Sequence, residues 1–185
     1  MRRVMTVAWL VVGLMVASVR VGLATQDDPR LDGLFDALQS ADGPVDAQRI
    51  EQEIWAIWSK AGDTDIDRLM ESGTRAMAGG QYEEALIAFN AVIEMAPDFA
   101  EGWNKRATLY YLMNDYPASI KDIDRTLDLE PRHFGALSGL SMILLDEGRG
   151  QEALTVLERA VRIHPFLPNA KARIRALQSK YGEPI

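Results

Sequence analysis

Pro97, Pro131 and Pro165 stand thirty-four residues apart, twice over, and the stretches between them repeat one pattern of apolar, small and turn-forming residues. A fixed period of this length marks a chain built from stacked supersecondary units, each of which buries its apolar face only against its neighbours. Such an array presents surfaces rather than an enclosed pocket. The search for function is thereby directed to exposed rows of side chains.

With proline at the thirty-second place, the units run 66–99, 100–133 and 134–167. The fourth position holds Leu69, Trp103 and Leu137, and the eighth Gly73, Ala107 and Ser141. The eleventh holds Ala76, Tyr110 and Leu144, and the fifteenth Gly80, Asn114 and Gly148. The twentieth is Ala85, Ser119 and Ala153, the twenty-fourth Phe89, Ile123 and Leu157, and the twenty-seventh Val92, Thr126 and Ala160. Small residues let two helices approach closely, and large apolar ones fill the space between successive pairs. Gly or Asn at the fifteenth place accepts positive φ at the turn, and proline ends the second helix of each pair.

Gly80-Gln81-Tyr82-Glu83-Glu84-Ala85, Asn114-Asp115-Tyr116-Pro117-Ala118-Ser119 and the run Trp103 to Tyr110 resemble the motifs of the tetratricopeptide repeat family over residues 66–167. Two positions depart from its pattern: Arg106 stands at an apolar seventh place and Gly150 at an aromatic seventeenth. The resemblance implies an all-α, right-handed α-solenoid of three helix-turn-helix repeats. Pro168 to Tyr181, with Ala172, Ile174, Ala176 and Leu177 among Lys and Arg, reads as an amphipathic capping helix in a 168–185 tail. Residues 25–62 read as a polar linker and a helical pair, with Leu31, Leu34, Phe35 and Leu38 on the first helix. Asp42-Gly43-Pro44 closes that helix, and Ile50, Ile54, Ile57 and Trp58 stripe the second. Carrying the period backwards makes this pair a degenerate fourth unit that caps the first repeat through Trp55 and Trp58.

Met1-Arg2-Arg3 precedes Val4–Val19, sixteen residues interrupted only by Thr6 and Ser18, with a small-residue site ending at Ala24. Residues 1–24 therefore read as a secretory signal, or as an anchor if left uncleaved. A helix of that length spans roughly 24 Å against about 30 Å of hydrocarbon, which favours the signal. Either way the basic end stays inside and the rest is exported, to a periplasm on the family resemblance. Removing residues 1–24 leaves 17 basic against 27 acidic side chains, a balance that repels nucleic acid. The absence of cysteine excludes a disulfide scaffold.

No constellation of catalytic residues stands out, so the reading is a non-enzyme without cofactor or metal. The two histidines, His133 and His164, sit apart at repeat boundaries. Asp63, Asp65 and Asp67 alternate like a calcium loop, but Arg68 and Thr74 occupy the places where such a loop needs Gly and Glu.

The family resemblance implies that first helices line a concave groove with positions two, five, nine, twelve and thirteen. The expected partner-binding residues are Met70, Thr74, Met77, Asn104, Lys105, Thr108, Tyr111, Ser138 and Met142. Met adapts its shape, Tyr offers area with a polar tip, and Asn can pair with a peptide backbone. A subset of the family grips C-terminal carboxylates with basic and Asn side chains. The corresponding places here hold Met70, Thr74, Lys105, Gly135 and Gly139, so that clamp is missing. The function expected is an exported adaptor or assembly factor holding a peptide or helix of another protein. The alternative is self-association into a homo-oligomer through Trp55 and Trp58 or through the outer wall.

Overall fold

The computed structural model describes residues 25–181, so the signal or anchor read at 1–24 lies outside the described residues. After a 3-10 turn at Thr25–Asp27 come α1 (Arg30–Gln39), α2 (Pro44–Trp58), α3 (Thr64–Ala78), α4 (Tyr82–Met95), α5 (Ala100–Leu112), α6 (Tyr116–Leu129), α7 (Phe134–Asp146), α8 (Gly150–Ile163) and α9 (Ala170–Tyr181). No strand occurs among the described residues.

Local chemistry sets the repeat. The left-handed residues Gly80, Asn114 and Gly148 have φ of 74°, 60° and 77°. The amide after each reaches back to the preceding helix: Gln81 to Ala76 O at 2.9 Å, Asp115 to Tyr110 O at 2.9 Å and Arg149 to Leu144 O at 2.7 Å. These are the bonds that satisfy the last carbonyls of a helix at a left-handed cap. Before each proline, Ala96, Glu130 and His164 leave the helical region with ψ of 72°, 92° and 88°. Their amides still close the last turn on Val92, Thr126 and Ala160.

Positions eight and twenty meet where the two helices of a repeat cross. In the second repeat Ser119 Oγ donates to Ala107 O at 2.7 Å, and in the third Ser141 Oγ donates to Ala153 O at 3.0 Å. In the first repeat Gly73 replaces the hydroxyl with a closer approach: a Cβ there would stand 2.6 Å from the Phe89 ring. The twenty-fourth residues, Phe89, Ile123 and Leu157, are all buried. Arg106, the charged residue in an apolar place, forks onto Asp122 at 2.7 and 2.8 Å and donates to Asn90 at 2.7 Å. It thus ties α4, α5 and α6 together while lying over the Trp103 ring.

The N-terminal pair corrects the expectation of a degenerate repeat stacked on the first. Its core of Leu31, Phe35, Leu38, Ala47, Ile50, Ile54, Ile57 and Trp58 closes on Phe134 and is flanked by Ile163, Phe166 and Leu167. It shares no member with the first repeat's cluster around Ile66, Met70 and Phe89. Glu51 lies where a second helix needs a small residue to cross its partner, and it turns instead toward His164, 3.3 Å away. Pro44 opens α2 rather than closing α1, since the first helical position needs no amide donor. The hairpin and the 3-10 turn before it lie along the edge formed by the two inter-repeat turns and the end of α8. Gln26 bonds Asp98 O at the first turn, Arg132 bonds Asp32 at the second, and Gln39 bonds Arg162 O in the last turn of α8.

Candidate functional site

The first helices α3, α5 and α7 present five rows along the groove, and the structure divides these rows in two. Near the inter-repeat turns the rows at positions two and five are largely closed. Glu101 is 1% exposed and Asn104 8% exposed, while the Trp55 ring fills the space beside Gly135. Near the other end, the rows at nine, twelve and thirteen are open: Thr108 is exposed, and Leu112 and Met142 are 42% and 39% exposed.

The nine residues expected to bind a partner therefore separate. Met70 is buried in the first repeat's core, and Asn104 spends its amide on Glu101 at 2.8 Å, so neither faces a partner. Lys105 pairs with Glu101 at 3.2 Å. Ser138 is half-buried, with its hydroxyl unpartnered among the described residues. Thr74 and Met77 are half-buried at the first-repeat end, Met77 against that repeat's core. Thr108 is exposed and donates its hydroxyl to Asn104 O at 2.9 Å. Tyr111 is half-buried, donates to Asp146 at 3.2 Å and stacks on Tyr116 with centroids 5.7 Å apart. Burial and the Asp146 carboxylate push its phenol up. Thr74, Met77, Thr108, Tyr111 and Met142 thus remain as an open half-groove, joined by Leu112 at the thirteenth position of the second repeat.

The closed half holds a network whose pairing was not legible beforehand. His133 caps α7: its Nδ1 accepts the Ala136 amide at 3.1 Å, which leaves the ring proton on Nε2 to be donated to Glu101 at 3.1 Å. Trp58 lies flat on the same ring, 4.3 Å between centroids. Burial pushes the Glu101 carboxyl up, but the His133 bond, the Lys105 charge and the Asn104 amide outweigh it and hold it below the usual Glu value. A depressed folded-state value means stabilisation that is complete above the unfolded Glu value and lost as pH falls through the folded one. Glu101→Gln is expected to cost about 1–3 kcal/mol at neutral pH and to flatten the acid limb between about pH 5 and pH 3. Urea midpoints across that range check both.

Trp58 is 2% exposed and Trp55 half-buried, and both rings pack on Phe134 and His133 within the molecule. Asp63 caps α3 by accepting from the Asp65 and Ile66 amides, Asp67 accepts the Ala61 amide, and Asp65 pairs with Arg68. Among the described residues no three His, Asp or Glu come together as metal ligands. No described helix is long and apolar enough to cross a membrane.

A tetratricopeptide repeat family model matches residues 70–112 and 105–168. A TPR repeat-containing protein of Rhizobium etli is 38% identical over 151 residues, covering 82% of this chain and 74% of that protein. The Sgt2 TPR domain from Aspergillus fumigatus superposes with a TM-score of 0.60 at 20% identity, over 65% of this chain and 82% of that one. The first TPR domain of Spaghetti, bound to an HSP90 peptide, gives 0.60 at 19% identity, over 64% of this chain and 94% of that one. These two structures share the fold. With the repeat geometry and the family match in agreement, the chain belongs to the tetratricopeptide repeat family.

Proposed function

We propose that this chain is a protein-interaction module, exported by its N-terminal segment to act as a periplasmic adaptor, that holds a peptide or helix in the open half of its groove. The observation that carries the reading is the exposure of Leu112 and Met142 on the concave rows beside Thr108 and Tyr111. Apolar side chains on a rigid stack of helices lose little entropy on binding, and Met and Tyr adapt to a partner's shape. A related fold, that of Spaghetti, holds an HSP90 peptide. Recognition of an acidic tail is not carried over, because Met70 is buried and Lys105 is already paired. The partner fitted to this half has an apolar face.

A photo-crosslinking residue placed at Met142 in the native envelope is expected to trap one partner. The same residue at Ile87, 71% exposed on α4, traps none. Leu112→Arg with Thr108→Arg should reduce the Met142 product by about tenfold or more, the loss of roughly 1.4 kcal/mol, without changing the melting temperature. A product that survives those substitutions, or one that forms equally at Ile87, defeats the groove reading. Mass spectra of the same material, read for an N-terminus at Thr25, test the export reading.

A further inference from the structure

The turn-side half of the groove is occupied by the chain's own hairpin, and it fits that hairpin as a receptor fits a ligand. Gly135 leaves the space that the Trp55 ring enters, with 2.9 Å between the ring and the position of a Cβ. His133 gives a flat ring to Trp58 at 4.3 Å, and His164 gives a nitrogen to the Glu51 carboxylate at 3.3 Å. The Arg132 guanidinium stands 4.3 Å over the Phe35 ring. Each contact pairs a group of the array with a group of the occupant.

The hairpin is held as an occupant and not as a repeat. Phe134 of the array completes its apolar cluster, as a receptor residue would, and the connection Ser59–Asp63, bent at Gly62 with φ of 75°, joins it to α3. The interface also leaves two buried nitrogens, Trp58 Nε1 and His164 Nδ1, without hydrogen-bond partners among the described residues. On the array's side it is His164 Nδ1 whose desolvation is not offset, so an occupant that met it would hold an advantage over the resident one.

We propose that this half-groove is a second binding site, for an amphipathic helix bearing two aromatic residues at the spacing of Trp55 and Trp58 and a carboxylate at that of Glu51, and that the hairpin is its intramolecular occupant. The site is separate from the open half described above, and the two stand or fall independently. The local concentration supplied by the short connection keeps the hairpin seated until a partner of this chemistry displaces it.

The test uses the full chain carrying Trp55→Ala and Trp58→Ala, with a labelled synthetic peptide of residues 28–60 as the probe. The peptide should bind this variant at least about tenfold more tightly than the wild-type chain. Adding Gly135→Leu, which fills the Trp55 space, should abolish binding, while circular dichroism shows the array still helical. Failure to bind, or binding indifferent to Gly135→Leu, overturns the proposal. Amide hydrogen exchange on the wild-type chain reads the same device without substitution: α1 and α2 should exchange together, ahead of α5–α8. Protection of the hairpin equal to that of α5–α8 would also overturn it.

Discussion

Arg106→Met will lower the stability of the array by about 3–5 kcal/mol, far more than the loss of a surface charge. Asp122 is 1% exposed, and both of its carboxylate oxygens are met by the Arg106 guanidinium at 2.7 and 2.8 Å. Removing the cation leaves a buried carboxylate uncompensated, and Asn90 on α4 loses the donor that reaches it from α5. The cost should largely disappear when Asp122 goes too. The double variant Arg106→Met with Asp122→Leu is expected within about 1.5 kcal/mol of wild type, as apolar replacement of a buried pair often is. Urea denaturation of the two single variants and the double one closes the cycle. Additive losses would show that Arg106 acts through its contacts with Trp103 and Tyr110, not through Asp122.

Phe89→Ala is the second large effect, with an expected loss of about 3–5 kcal/mol. Its ring is wholly buried and lies against the backbone of α3 at Gly73, where a Cβ would come within 2.6 Å. The space vacated is bounded by helices that cannot collapse into it without moving the whole repeat. The reverse change, Gly73→Ala, should destabilise by overpacking, by about 1–3 kcal/mol. Gly73→Ala combined with Phe89→Leu should cost less than the sum of the two, because the added methyl occupies part of the space the ring gives up. Thermal melts of the set decide it.

The repeat could be read in the sequence because what defines it is local. A left-handed cap, a proline one residue beyond the last helical bond and a small residue at a crossing each act within a few positions. The same places recur at Gly80, Asn114 and Gly148. Arg106 was visible as a charge in an apolar place, but its partner Asp122 lies on the next helix and had no such mark. The hairpin's helices were legible from their stripes, while its seat was not. It depends on contacts as distant as Glu51 with His164 and Gln39 with Arg162, and periodicity carries no information about those. Backward extension of the phase put Trp55 and Trp58 beside the wrong repeat. The groove residues divided for the same reason: Asn104 matched its row by phase, yet the network around Glu101 and His133 closes that row.

A stack in which each unit touches only the next is mechanically a spring, free to open its pitch and to fray from either end. This chain places a strut across the coils. Gln26 before the hairpin, and Asp32 and Gln39 on it, bind this N-terminal segment to the two joints between repeats and to the end of α8, so bending at any one strains contacts at the other two. With the strut seated, the curvature of the groove is fixed and the array should melt as one body. With it lifted, the same helices regain the compliance of a spring.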